Sequence, residues 1–303
     1  MSLELDGLFP SLDEVIILKR KNVNCKGRVF KYRKKRINVI NQDFFDIINT
    51  EEKAYWLGFL YADGCIYLQN HERKNNRICS QYVLKIGISK KDEIHLQKFA
   101  DIFNVKLHYR QNGNSIESYV QIYDEYLYNR LYELGMRNRN LNIIKNNVSN
   151  DLFRHFIRGL FDGDGCITIF SQKQKHKDIV YIREQCIISF ACFSYGFAND
   201  LQDIICNEIK LLKNKIVKHK NSSCWYPSWG AKQDIKSFKD WLYNDATVCL
   251  DRKKQKFDNI LFIDKGKSMF KKAKDGEVSA KEYNDWLSQK RGYKDFNEYK
   301  NRK

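Results

Sequence analysis

The sequence has little that would divide or anchor it. Only two prolines, Pro10 and Pro227, occur in 303 residues, so prolines mark no boundary between domains. No run of about 18 apolar residues exists, which argues against a membrane-spanning helix. The opening residues, Met1-Ser2-Leu3-Glu4-Leu5-Asp6-Gly7, show neither the basic nor the apolar region of a secretory signal, so a cytoplasmic location is the expectation. None of the nine cysteines forms a Cys-x-x-Cys pair, which argues against a zinc ribbon. Their odd number also argues against a disulfide framework, and most are expected to be reduced core residues. Nor do the six histidines show metal-ligand spacing.

Acidic charge is also in deficit. Lys and Arg number 54 against 37 Asp and Glu, a net charge of +17. An excess of that size favours a polyanionic partner through steering and counterion release. An AT-rich coding sequence would also enrich Lys, so charge alone suggests a nucleic acid without establishing one.

An internal repeat organises the chain. The segments Trp56-Leu57-Gly58-Phe59-Leu60-Tyr61-Ala62-Asp63-Gly64-Cys65-Ile66 and Ile157-Arg158-Gly159-Leu160-Phe161-Asp162-Gly163-Asp164-Gly165-Cys166-Ile167 share a glycine and then Asp-Gly-Cys-Ile, offset by 101 residues. Each segment is followed by two predicted strands, a helix, two further strands and a helix. In the first half the strands fall near 65–69, 82–89, 105–110 and 118–123, with helices at 92–103 and 125–134. In the second they fall near 166–171, 181–192, 215–220 and 224–229, with helices at 195–209 and 233–244. The reading is α+β, with two pseudo-symmetric αββαββα repeats. It places a basic N-terminal extension at 1–42, the first repeat at 43–136, a polar linker at 137–150, the second repeat at 151–260 and a helical tail at 261–303. In the tail, Ser279-Ala280-Lys281-Glu282 has the form of a capping box. The tail is either a small DNA-binding element or a packing helix, and the basic run 31–36 either a solvated charge run or a DNA-contacting arm.

Each motif reads as a helix, 53–62 or 152–163, that ends in aspartate and glycine. Gly64 and Gly165 are expected to leave the helix with positive φ. Asp63 and Asp164 are harder to explain structurally, because a carboxylate at a helix C-terminus opposes the helix dipole. Two such helices packed side by side would also bring like charges together, and a divalent cation would relieve both problems. Gly58, Ala62, Gly159 and Gly163 supply the small residues that a close helix–helix interface needs. Asp162 has Tyr61 as its counterpart, so it reads as a supporting polar contact and not as a matched ligand.

The two segments resemble the signature of LAGLIDADG homing endonucleases, and the similarity extends over about residues 43–260, including Thr50-Glu51-Glu52-Lys53-Ala54-Tyr55 before the first motif and Arg252-Lys253 near the end. The resemblance implies a single-chain monomer in which the motif helices form a pseudo-twofold interface and each repeat lays a curved four-stranded antiparallel sheet into duplex DNA. It also implies hydrolysis of both strands with Mg²⁺, Mn²⁺ being a possible substitute, at a site formed by Asp63 and Asp164 together with Gly64 and Gly165. Lys232, with Gln233 as a fallback, fits the basic position that family members carry near the last strand-to-helix junction. In the first half Gln121 is the nearest match. Strand alternation nominates Tyr67, Gln69, Lys85, Lys106, His108, Arg110, Thr168, Arg183, Gln185 and Lys218 for DNA contact. Two other functions would suit the scaffold, an intron RNA maturase and a sequence-specific regulator without catalysis.

Overall fold

The computed structural model describes residues 41–73, 77–176, 179–258, 260, 269–290 and 292–301. The basic run at 31–36 lies outside them. The first repeat opens with helix α1 (Glu51–Asp63), started by Thr50, whose side chain accepts from Lys53 N. Strands β1 (Gly64–Arg73) and β2 (Arg77–Ser89) follow, then α2 (Glu93–Ile102), β3 (His108–Asn112), β4 (Ser115–Tyr123) and α3 (Glu125–Glu133). All four strands are antiparallel in the order β1-β2-β4-β3. Leu84, Ile86, Val120 and Ile122 point from one face into a core shared with Leu96 and Phe99 of α2 and Leu127 and Leu131 of α3. The predicted alternation of β2 therefore holds. The strand expected at 105–110 begins only at His108, which leaves Lys106 in the exposed coil before β3.

The polar run between the repeats contains a helix that its composition hides. Helix α4 (Leu141–Asn147) buries Leu141 and Ile144 and presents its Asn and Lys side chains outward. A parallel bridge between Ile48 and Val148 ties the approaches to the two motif helices together.

The second repeat follows the same plan: α5 (Asn150–Asp164), β5 (Gly165–His176), β6 (Ile179–Phe190), α6 (Tyr195–Ile209), β7 (Val217–Lys218), β8 (Trp225–Tyr226), β9 (Ser228–Trp229) and α7 (Lys232–Tyr243), then α8 (Asp251–Asp258). Its sheet departs from the expected four continuous strands. The edge along β6 is split into β8 and β9 by Pro227, which has no N–H to give the ladder. Its carbonyl nonetheless accepts Phe190 N at 3.2 Å, β9 pairs at Ile188 and Ser189, and Trp225 bridges Cys192. β7 pairs only with β8, so the first sheet's order is kept in interrupted form.

Beyond α8 the tail contains α9 (Met269–Lys274), α10 (Ala280–Lys290) and α11 (Phe296–Asn301). The capping box forms as read: Glu282 N donates to Ser279 Oγ at 3.1 Å and Ser279 N donates to the Glu282 carboxylate at 2.7 Å. Tyr283 and Leu287 bury against Ala273 in a small core of their own. α10 packs on β6, and the Tyr299 hydroxyl lies 2.6 Å from Ser171 Oγ.

The repeats meet through α1 and α5. A Cβ on Gly58 would fall 1.9 Å from the Phe156 carbonyl oxygen, and one on Gly159 would fall 2.0 Å from that of Tyr55. One on Gly163 would overlap the Ala62 Cβ at 2.2 Å. The four expected interface residues thus let the two backbones touch. Arg158, fully buried on α5, donates to Val248 O (2.9 Å) and Leu242 O (3.0 Å) and pairs with Glu51 at the start of α1. A buried guanidinium is tolerated because its donors are used.

Gly159→Ala should therefore lower the unfolding free energy in urea by about 1–3 kcal/mol or more through overpacking. Gly196→Ala, where a methyl meets nothing within 4 Å, should instead stabilise by about 0.4–1 kcal/mol. Equal effects would contradict the tight interface.

Candidate active site

Asp63 and Asp164 are the last residues of α1 and α5. Because the helices touch at Gly163, a Cβ there would lie 3.1 Å from Asp63 Oδ2, which puts one carboxylate against the helix end that carries the other. Desolvation at the packed helix ends pushes the Asp63 carboxyl up to about 6 although the residue keeps an exposed edge, the Asp164 charge adds to the rise, and Lys253 and Arg139 oppose it. Asp164 is raised as well, by burial, against the same two cations. Asp63 remains reachable, on the wall of an open cleft of about 450 Å³ with Glu117 and Arg252.

The glycines after the aspartates are required for a reason other than the expected one. Gly64 (φ −87°) and Gly165 (φ −74°) leave the helices in extended, negative-φ conformation. What they lack is room. A Cβ on Gly64 would meet Leu60 O at 2.6 Å, and one on Gly165 would meet Phe161 O at 2.4 Å.

Two cations compensate the helix ends. Lys253, in the first turn of α8, donates to the carbonyls of Phe161 (2.6 Å), Gly163 (3.1 Å) and Gly165 (2.6 Å). Burial lowers its ammonium to about 8 against the pull of Asp162, Asp63 and Asp164. Arg139 donates to Ala62 O at 3.1 Å and comes within 4.0 Å of Asp164 Oδ2. Each motif helix thus has a positive group at its C-terminus, where the dipole favours one. Lys232 opens α7, half-buried. The cations pressed against the aspartates are Arg139 and Lys253. At Gly165, expected to belong to the metal site, the carbonyl accepts from Lys253.

Asp162 is fully enclosed. It accepts from Tyr243 at 2.5 Å, Tyr55 at 2.8 Å and Leu250 N at 2.7 Å, which makes it the supporting contact that the repeat comparison indicated. Among the described residues no group of three or more His, Cys, Asp or Glu gathers to hold a metal. The carboxylates of Asp63 and Asp164 are hard oxygen donors of the kind that Mg²⁺ or Mn²⁺ takes.

The sheet faces turned away from the core carry most of the residues nominated for DNA. Gln121 donates to the Tyr67 and Tyr123 hydroxyls, Lys85 stands over the Tyr119 ring, and His108 stacks on the same ring. Gln69 continues the Tyr67 face of β1, and Thr168 lies beside Cys166, exposed. Gln185 bonds Gln172 on the face shared with Thr168, and Lys218 lies over the Trp225 ring. Arg110 is already paired with Glu117. The side chain of Arg183 lies outside the described residues.

Residues 56–134 match the family model described as LAGLIDADG endonuclease, and residues 151–240 match that of the LAGLIDADG-like domain, together more than half of the chain. The chain belongs to the LAGLIDADG endonuclease family. Both copies of the family's motif are on one chain and meet at Gly58 and Gly159. No curated protein matches the sequence. The LAGLIDADG homing endonuclease I-LtrWI, solved bound to target DNA, is similar in fold, with a TM-score of 0.54 and 11% identity over 84% of this chain and 97% of that one. I-SmaMI, bound to uncleaved target DNA with calcium ions, gives a TM-score of 0.52 and 13% identity over 80% and 97%. I-SmaMI bound to cleaved DNA gives 0.50 and 14% over 70% and 88%. At these identities the likeness concerns the fold. Among the described residues no helix is long and apolar enough to cross a membrane.

The raised Asp63 carboxyl sets a pH dependence. A folded-state value near 6, above the ordinary carboxylate value of 3.8, means that the native protein holds a proton that the unfolded chain releases. Metal-free stability should thus fall as pH rises from about 4 to about 6, and Asp63→Asn should flatten that fall. Chemical denaturation across this range, with and without Mg²⁺, checks it. An unchanged slope in the variant would contradict the assignment.

Proposed function

We propose that this LAGLIDADG protein is a site-specific endonuclease that hydrolyses both strands of duplex DNA with divalent metal at Asp63 and Asp164. The observation that carries the reading is the meeting of the two carboxylates, one from each repeat, at abutting helix ends where each is pushed toward protonation. A regulator or RNA-binding protein gains nothing from carboxylates facing phosphates, whereas a metal site requires them. Magnesium is the proposed ion, with manganese as a substitute. A divalent cation bound there supplies charge neutralisation and Lewis-acid polarisation of the phosphate.

The chain's own residues do the remaining work. The outward faces of the two sheets, with Tyr67, Gln69, Lys85, His108 and Arg110 in the first repeat and Thr168 and Gln185 in the second, contact bases and phosphates in the grooves, and Arg183 and Lys218 are the further candidates that strand alternation nominates. Arg110 exchanges Glu117 for DNA on binding. Lys106, in coil, contributes a phosphate contact. Arg139 and Lys253 hold positive charge beside the aspartates, where negative charge grows on the phosphate as the bond breaks. Both motif copies lie on one chain, so a monomer completes the site.

Cleavage of a randomised duplex library in Mg²⁺ should reveal a defined target. Asp63→Asn and Asp164→Asn should each slow cutting about a hundredfold or more while leaving target affinity within a few-fold. Binding without cutting by the wild type in both Mg²⁺ and Mn²⁺ would remove the catalytic reading, and preferential binding of intron RNA would replace it with a maturase.

A further inference from the structure

We propose that Tyr61 and Asp162, which occupy the same place in the two motifs, are matched positioning residues: each latches the segment that carries its own repeat's cation, Arg139 or Lys253. The inference rests on the endonuclease reading above and adds a pair of buried residues.

In the second repeat, Asp162 is buried and its carboxylate accepts three bonds. Tyr243 closes α7, and Leu250 immediately precedes α8. With Oδ1 on the Tyr243 hydroxyl and Oδ2 on Leu250 N and the Tyr55 hydroxyl, the carboxylate pins both ends of the connection from α7 to α8. Three residues past Leu250, Lys253 folds back onto the carbonyls of Phe161, Gly163 and Gly165. The latch and the cation it sets are therefore joined by a single helical turn.

The first repeat makes the same arrangement with opposite chemistry. The buried Tyr61 hydroxyl donates to Leu134 O at 2.6 Å, just after α3, and approaches Asn140 O at 3.5 Å, just before α4. Gly135, at φ +79°, makes room, since a Cβ there would lie 2.9 Å from that hydroxyl. Between the two anchor points stands Arg139 at φ +48°, a left-handed backbone that a side-chain-bearing residue adopts only when its surroundings enforce it. The difference in residue type follows from what each latch meets. The first segment presents a carbonyl and needs a donor, whereas the second presents an N–H and needs an acceptor. Tyrosine and aspartate at matched positions are thus two solutions to one geometric problem.

The test is strand-resolved cleavage of an end-labelled duplex bearing the mapped target. Tyr61→Phe should slow one strand about tenfold or more relative to the other, and Asp162→Asn should slow the opposite strand, with target affinity nearly unchanged. Tyr243→Phe, which removes one of the three donors to Asp162, should act on the same strand as Asp162→Asn but more weakly, and it guards against a variant that fails to fold. Amide hydrogen exchange reads the latch without reference to cutting. Residues 135–141 should loosen in Tyr61→Phe and residues 247–253 in Asp162→Asn, each without the other. Equal slowing of both strands in proportion to lost thermal stability would overturn the proposal, as would selective loosening with no strand bias, or no change in exchange. Failure of the endonuclease reading looks different: the wild type would not cut, while the exchange pattern would still report whether the latches exist.

Discussion

Everything at this site depends on two helix backbones being allowed to touch. Gly58 and Gly159 each face a carbonyl oxygen of the opposite helix, with no space for a methyl group between. Helices packed through ordinary side chains stand about 8–10 Å apart, and at such a separation two carboxylates at their ends would neither repel strongly nor share a ligand. Close approach costs apolar side-chain burial along the seam, which the flanking aromatics return: Tyr55, Phe59, Phe156 and Phe161 are all fully or almost fully buried around it.

Close packing creates an electrostatic problem whose solution is the site itself. Two helix C-termini and two carboxylates converge, all of one sign. The protein places one cation on each helix end, Arg139 from the segment after the first repeat and Lys253 from the segment after the second. Neither neutralises the aspartates fully, since both carboxyls stay raised. The site is thus left short of positive charge, which the proposed divalent ion would supply. The excess of +17 over the whole chain supplies the longer-range attraction for a duplex.

Much of this could be read from the residues. The 101-residue offset of two Asp-Gly-Cys-Ile segments locates both helix ends, and alternation in β2 separates core from outward positions because helices cover one face of the sheet. The rest was hidden for physical reasons. Arg139 and Lys253 belong to segments without periodicity and reach the helix ends only through tertiary packing, which no local pattern shows. The Arg252-Lys253 pair was visible, but nothing local marks Lys253 as a helix cap. Gly64 and Gly165 stand out as necessary in the sequence but not for their reason, because a demand for space and a demand for positive φ leave the same residue. Helix α4 escaped notice since only Leu141 and Ile144 of its seven residues bury, and Pro227 broke an edge strand that composition showed as continuous.

The central claim is that Asp63 and Asp164 act as one cation site. The most direct measurement is a double-mutant cycle on Mn²⁺ affinity, read by paramagnetic resonance, with the wild type, Asp63→Asn, Asp164→Asn and the double variant each bound to an uncleavable target duplex. The account predicts that either single substitution removes most of the affinity and that the second adds little. Two independent, additive losses, or affinity indifferent to one of the aspartates, would contradict it.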